Sequence, residues 1–569
     1  MKKYISLLLS LILIFSITSL AFTAFAENDT ALKIAVGSDL HYKILREKIE
    51  GDINDELFFY ANRRAAMEDE SGFIIDEFLT QCAENDEIEY VLICGDLADD
   101  GRTVIQSHLD VAEKLKNFEN ETGKSVYVIN GNHDTGEGEN DTKNDDFRRI
   151  YADFGFDEAI ATDEGTLSYT VDLGEKYRLI ACDSCDTSVS TADGLTSHRV
   201  EWICNQAKIA YKEGKYPILM MHHNLLSHMP IQRVLSHDFI VRNHTLTAEK
   251  IANAGIKTVF TGHEHGNDVI SYTSSLGNTV YDFSTTSLTM YPLAYRFVKF
   301  EDDKVTYELK SIDNIDFEKL YSAVDGYTDA QKQFMESDFG EYSKQFYKAS
   351  VQYRLWLGLT PEKLGVKEDA FYSDIVYTAV NGLLDYLEKP LYGDDSVQER
   401  AKEYNIQIPD SDYKNGWDLA TELVGYHYAG NEPFALDSTE LQILFKTVDF
   451  ILLDVLSTVN DKCFLGAANA ILSNFGTESL CKDFTKLCAN TFGPVTAGEY
   501  FLLAVASPIL YGLAYDRDGT DDNEGTVDGY GASVDKAASI TKNANDFFAK
   551  LSLYFKFFIS YILKIFRVG

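Results

Sequence analysis

Apolar, β-branched runs in the first half of the chain stop, again and again, at small clusters of histidine, carboxylate and amide side chains. The runs at 32–37, 90–94, 125–129, 216–221 and 257–261 lead into Asp39-Leu40-His41, Gly95-Asp96, Gly131-Asn132-His133-Asp134, His222-His223 and Gly262-His263-Glu264-His265. Helical periods at 72–82, 103–120, 197–212 and 247–253 lie between them. Strands alternating with helices of that length predict a layered α/β architecture. The first runs are apolar almost throughout, as strands covered on both faces are. In open α/β sheets, ligand sites gather at the C-terminal ends of strands. The clusters are therefore expected to converge. They carry six histidines, four carboxylates and one side-chain amide. Such a set can hold two divalent cations and leave one imidazole for proton transfer.

At 569 residues the chain is too long for one ordinary domain. Its α/β texture ends near residue 313. Residues 314–515 are rich in Tyr, Phe, Leu, Ala and Lys at helical spacing, with Pro361, Pro390 and Pro409 as breakers. They predict a second, mainly α-helical domain. Its His427 reads as structural. Residues 516–539 open with a Gly/Asp-rich stretch and are expected to be a solvated linker. A calcium loop would need glycine at its sixth position and a correctly placed glutamate, and neither is present.

Both termini suggest a membrane. Residues 1–26 read as a signal peptide: Lys2 and Lys3, an apolar stretch from Tyr4 to Leu20, then Ala24-Phe25-Ala26 for cleavage. The protein is accordingly expected to be secreted or held at the outer face of the cell membrane. Residues 540–569 predict an amphipathic helix with Lys550, Lys556, Lys564 and Arg567 on one side and many aromatics on the other. It is too interrupted by charge to span a bilayer and is expected to lie at a membrane surface.

With 90 acidic and 51 basic residues, the formal net charge is -39. A surface of that sign repels phosphate backbones and argues against long nucleic acid as a partner. Cations held in a pocket can still attract a small anion locally. Eight cysteines in a chain this long do not make a disulfide scaffold. Cys94 and Cys182 are expected to be buried strand thiols. Cys463, Cys481 and Cys488 fit a bridge or helix cores equally well.

In order, the clusters read D-x-H, G-D, G-N-H-D, a histidine and G-H-x-H. This series resembles the calcineurin-like metallophosphoesterase superfamily, whose pattern it matches block by block over about residues 32–311. The resemblance implies a four-layer α/β/β/α sandwich for residues 27–313. It implies that Asp39, His41 and His265 bind one metal, that Asn132, His222 and His263 bind a second, and that Asp96 bridges the two. His133 would transfer the proton, with Asp134 orienting nearby groups. Of the two adjacent histidines, His222 directly follows the strand and is taken as the ligand. His223 would then face the substrate or the ligands' surroundings. Glu264 occupies the variable position and receives no role. Purple acid phosphatases, one branch of the superfamily, carry tyrosine three residues after the bridging aspartate. Asp99 stands there in this chain, so a tyrosinate-ligated ferric site is not expected.

The physical case runs parallel. Phosphate esters resist hydrolysis because a nucleophile must approach negative charge. Two cations about 3.5–4 Å apart offset that charge and bind a bridging water as hydroxide. A mixed His/Asp/Asn donor set suits Mn, Fe, Zn or Co over Mg or Ca. The expected substrate is a small phosphoester. Diesters are favoured because Gly-Asp-Leu-Ala-Asp-Asp-Gly (residues 95–101) resembles the block of bacterial cyclic-nucleotide and glycerophosphodiester members. Two rival readings are a surface interaction protein built on this fold, and a membrane-associated enzyme acting on lipid headgroups or cell-wall polymers.

Overall fold

The structure is a computed structural model that describes residues 31–45, 64–188, 193–228, 232, 238–358, 373–430, 432–434, 438–456, 516 and 520–531. The expected signal peptide, the basic C-terminal helix and the three late cysteines lie outside those residues.

Thirteen strands follow in chain order among the described residues: β1 (Leu32–Gly37), β2 (Tyr90–Ile93), β3 (Ser125–Val128), β4 (Ala161–Thr162), β5 (Tyr169–Leu173), β6 (Tyr177–Cys182), β7 (Tyr216–Met221), β8 (Thr258–Thr261), β9 (Asp268–Thr273), β10 (Thr279–Ser284), β11 (Ala294–Phe300), β12 (Lys304–Ser311) and β13 (Glu524–Asp528). They form two sheets, ordered β13-β12-β11-β1-β2-β3 and β4-β5-β6-β7-β8-β10-β9. β1, β2 and β3 run parallel, as do β6, β7, β8 and β10. These parallel strands present their C-terminal ends along one edge of each sheet. β1, β2, β6 and β7 are mostly apolar on both faces because both faces are covered.

Between the sheets lies an aromatic-rich core. The Tyr177 and Phe300 rings are 5.3 Å apart and join β6 to β11. The buried Tyr169 hydroxyl donates to the Val128 carbonyl at 2.7 Å and joins β5 to β3. Outside the first sheet lie α1 (Ser71–Glu84) and α2 (Ile105–Thr122), which bury Ile74, Ile75, Phe78, Val111 and Leu115. A short helix follows, α3 (Asn144–Ile150). Outside the second sheet lie α4 (Ser197–Lys212) and α5 (His244–Asn253), packed through Val200, Ile203, Ala248 and Ile251 on Leu219 and Val259. The result is the four-layer α/β/β/α arrangement that the resemblance implied.

Seven helices come next: α6 (Phe317–Ala323), α7 (Asp329–Ser337), α8 (Phe339–Gly358), α9 (Ser373–Glu388), α10 (Val397–Lys402), α11 (Gly416–Ala429) and α12 (Thr439–Leu456). The change of texture at residue 313 is not a change of core. Leu320, Met335, Phe339 and Tyr342 pack into the main core of the sandwich. Among the described residues, the helices also form a core of their own around Leu391, Ile408, Leu419, Leu423 and Phe450.

The expected linker is corrected at residues 520–531. β13 pairs with β12 from Lys304↔Asp528 to Glu308↔Glu524 and becomes the edge of the first sheet. Beyond it the Tyr530 ring stacks on Tyr216 of the second sheet, 5.0 Å away at 21°. The Tyr530 hydroxyl also reaches the Pro217 carbonyl. After the helices, then, the chain returns and straps the two sheets together. Composition suggested a linker because an edge strand needs few apolar residues, and here only Val527 is buried among 524–528.

Candidate metal centre

Each expected ligand stands just beyond a strand end, and five of the seven take a backbone conformation that few residues tolerate. Asp39, His41, Asp96, His263 and His265 have φ of 49°, 42°, 48°, 65° and 64°. Such left-handed non-glycine residues cost free energy and persist only where their surroundings over-determine them, a pattern typical of functional sites. The glycines of the motifs have a steric reason. A Cβ on Gly131 would run into the Asp96 carboxylate, and one on Gly262 into Ser38 and the Asp39 carboxylate.

Two donor groups share Asp96, and a third brings His41, Asp99 and His133 together. Asp39, His41, Asp96 and His265 bring one ligand atom each within 4.8 Å of one another, and so do Asp96, His222 and His263. Asp96 belongs to both. Within the first group, His41 Nε2 lies 3.0 Å from His265 Nε2, and His265 Nε2 lies 3.2 Å from Asp39 Oδ1. Within the second, His222 Nε2 lies 3.0 Å from Asn132 Oδ1 and 3.3 Å from Asp96 Oδ2. All seven expected ligands are therefore gathered in one place.

The donors fit divalent cations. Asp39 Oδ1, Asp96 Oδ2 and His263 Nε2 are buried and have no hydrogen-bond partner. Buried polar atoms in folded proteins are nearly always satisfied, so three orphans in one cluster mark the place of a missing electrostatic partner. Protonation follows the same logic. Burial raises the Asp96 carboxyl, but His222, His133 and His41 around it bring it well below its usual range. Burial also works against the Asp39 carboxylate, and His265 and His222 hold it low. Burial, with His223 and His222 nearby, pushes His263 well below its ordinary value and leaves it neutral, as a metal ligand must be.

Asp99 and Arg64 join the centre from outside the motifs. An Asp99 carboxylate oxygen lies 3.4 Å from His41 Nδ1, and the other accepts from Arg64 at 2.8 Å and Lys43 at 3.2 Å. A carboxylate on the far nitrogen of a ligating histidine fixes ring orientation and basicity. His133 Nδ1 lies 2.8 Å from the Asp99 carbonyl and 3.1 Å from Arg64 Nη1. A single Nδ1 cannot donate to the first and accept from the second. The shorter contact assigns the proton to Nδ1, so Nε2 is the nitrogen that can exchange a proton. Arg64 closes the stretch 58–64, which the sequence offers as one that could overhang the metals, but its pairing with Asp99 and His133 is legible only in three dimensions.

Asp134 is fully buried and touches no ligand space. Its Oδ1 accepts from the Leu97 and Ala98 amides at 3.0 and 3.2 Å, and its Oδ2 from Gly131 N at 2.7 Å. It staples the Asp96 and Asn132 loops together, which makes it a positioning residue. Burial and the neighbouring Asp96 push its carboxyl up to about 8. His223, expected to face substrate or the ligands' surroundings, is fully buried with Nδ1 2.9 Å from Ser184 Oγ. His228 is turned into the protein between Asp268 at 2.9 Å and Asp282 at 3.2 Å. Glu264 is buried too, and accepts from Gln232 at 2.6 Å.

Residues 32–267 match the calcineurin-like phosphoesterase family. The structure is similar to a dimetal phosphatase from Danio rerio (11% identity, 49% of this chain and 96% of that chain, TM-score 0.37). It is also similar to a predicted phosphoesterase from Streptococcus pneumoniae (11% identity, 50% and 90% covered, TM-score 0.22). A third similar structure is a phosphopantetheinyl hydrolase from Mycobacterium tuberculosis (13% identity, 45% and 90% covered, TM-score 0.25). No curated protein sequence matches the chain. The matched span is the one that carries the candidate two-metal centre.

Proposed function

We propose that the chain hydrolyses small phosphoesters outside the cell, with diesters favoured over monoesters, at a centre of two divalent metals. One observation carries the reading: Asp96 is shared by both donor groups, and its Oδ2 is buried without a hydrogen-bond partner. A carboxylate can span two cations, whereas a neutral imidazole cannot. Bound metals supply charge neutralisation at the phosphoryl group and an activated water. The protein's own groups do the rest. Asp39, His41 and His265 hold one side of the centre; Asn132, His222 and His263 hold the other. His133, with its Nδ1 proton committed to the Asp99 carbonyl, would hand a proton to the leaving oxygen from Nε2 as the imidazolium and return to the neutral Nδ1–H form. The diester preference rests on residues 95–101.

Metal-replete protein, loaded in turn with Mn, Fe, Zn and Co, is assayed on bis-p-nitrophenyl phosphate and p-nitrophenyl phosphate. Metal-dependent turnover, faster on the diester, is expected. Failure on both, and on nucleotides and glycerophosphodiesters, would overturn the reading. The extracellular placement rests on residues 1–26 and is checked by locating the protein in cell fractions. Membrane attachment rests on the C-terminal segment. Vesicle sedimentation with and without residues 545–569 tests it, and equal binding by the two forms removes it.

A further inference from the structure

We propose that Asn267 is a positioning residue for the metal centre, through which the helical region and the β13 strap hold the His263–His265 turn in its ligating shape. The inference rests on the metal-centre reading but not on the choice of substrate. Two of the turn's residues are ligands in left-handed backbone conformations, so something must impose that shape. Part of the restraint is local. The His263 amide donates to Asp39 Oδ2 at 3.0 Å, Thr286 Oγ1 to the His265 carbonyl at 3.0 Å, and Ser284 Oγ to the Gly266 carbonyl at 2.9 Å. The next residue, Asn267, is fully buried, and its partners come from far along the chain.

Asn267 commits its backbone amide and both ends of its side-chain amide. Its amide donates to the Tyr428 carbonyl at 3.0 Å, at the end of α11. Its Nδ2 faces Asn523 Oδ1 at 2.7 Å, the Asp522 carbonyl at 3.3 Å and the Ala429 carbonyl at 3.4 Å. Its Oδ1 accepts from Arg296. The fully buried Arg296 also donates to the Asp522 carbonyl at 2.8 Å and the Ser284 carbonyl at 3.1 Å. α11 reaches Asn267 backbone to backbone. Gly430, its cap at φ 65°, lies so close that a Cβ would strike the Asn267 carbonyl and side-chain amide. The family match ends at residue 267, and Tyr428, Ala429, Gly430, Asp522 and Asn523 all lie beyond it. Parts of the chain beyond the matched span thus close on the last residue of the ligand turn.

The test uses full-length protein and reads metal affinity, not turnover. Asn267→Ala, Gly430→Ala and the milder Asn523→Ala are compared with Ile408→Ala, which loosens the helical region's own core. Mn²⁺ and Zn²⁺ dissociation constants are measured by competition with a chelating dye, with bound metal counted by mass spectrometry, at a temperature where circular dichroism shows each variant folded. Loss of an outer hydrogen-bonding partner weakens metal binding about 10–100-fold. A loss of that size is expected in the first two variants and a smaller one in Asn523→Ala, with Ile408→Ala at wild-type affinity. Wild-type affinity in all variants, or affinity that merely tracks melting temperature across all four, would overturn the inference. Wild-type protein that binds no metal would overturn the metal-centre reading with it.

Discussion

At the scale of single residues, charge and proton position separate the jobs in the centre. Asp96 is buried and held ionised by three histidines. Asp96→Asn removes the charge shared between the two donor groups. Bound metal is expected to fall below two per chain and hydrolysis to fall to background, read by mass spectrometry and a p-nitrophenol assay. His133 is no member of the seven-ligand set. Its replacement by alanine is expected to leave both metals in place while kcat falls about 10²–10⁴-fold, the usual contribution of a general acid. Metal loss in that variant would instead place His133 among the ligands. Asp99 acts through its neighbours. Asp99→Asn takes the negative charge from beside His41 and leaves Lys43 and Arg64 without their shared carboxylate. Metal affinity is expected to drop about 10–100-fold, measured with the same chelating dye.

Elements explain why some of this was legible in the sequence and some was not. The ligand-bearing strands β1, β2, β3, β7 and β8 are apolar on both faces, and each stops at its cluster, so pattern and chemistry pointed the same way. β9 and β10 escaped because they form an antiparallel edge hairpin with polar residues inside. Asp282 and Ser284, both fully buried on β10, anchor backbone and side-chain hydrogen bonds from Leu225, Leu226 and Asn224. β13 escaped because an edge strand takes its register from its neighbour β12. Asn267 had no local signal at all, and the positions of Arg64 and Glu264 did not reveal their partners. Asn267, for one, meets partners at Tyr428 and Asn523, far along the chain, and no spacing rule reaches that distance. The strap makes its own prediction. Tyr530 stacks on Tyr216, and its hydroxyl lies 3.2 Å from Thr258 Oγ1. Tyr530→Ala is expected to cost ~3 kcal/mol, at the lower end for a large aromatic because the ring is only half-buried. Tyr530→Phe, which keeps the stack, should cost ~1 kcal/mol. Denaturant unfolding distinguishes the two, and equal losses would show that the hydroxyl alone ties the strap down.

Across the whole molecule, the helices sit between two parts of one sandwich: β12 precedes them and β13 follows. Where the strap meets the second sheet, two carboxyl groups face each other. Asp522 is buried, its Oδ1 accepts from the Val269 amide at 2.7 Å, and Asp268 is its neighbour. On its other side Asp268 is paired with His228, which Asp268 and Asp282 together raise to about 10 against the opposing effect of burial. Burial first, and then the Asp268 carboxylate, push Asp522 up to about 11. The pair therefore shares one proton in the folded protein. An unfolded Asp522 titrates near its ordinary value of about 3.9. The folded state thus binds more protons between roughly pH 4 and 11, and this group's contribution to stability is complete below that window and declines as pH rises through it. The slope is at most about 1.4 kcal/mol per pH unit. Asn at position 522 would reproduce the protonated form: its oxygen can accept from Val269, and its amide can donate to Asp268 without a titrating proton. Asp522→Asn is therefore expected to be as stable as wild type near pH 4 and increasingly more stable at pH 6, 7 and 8. The gap is measured as the difference in urea unfolding free energy at each pH. A constant gap across that range would mean that the two carboxyl groups do not share a proton, and that the strap is held by backbone pairing and Tyr530 alone.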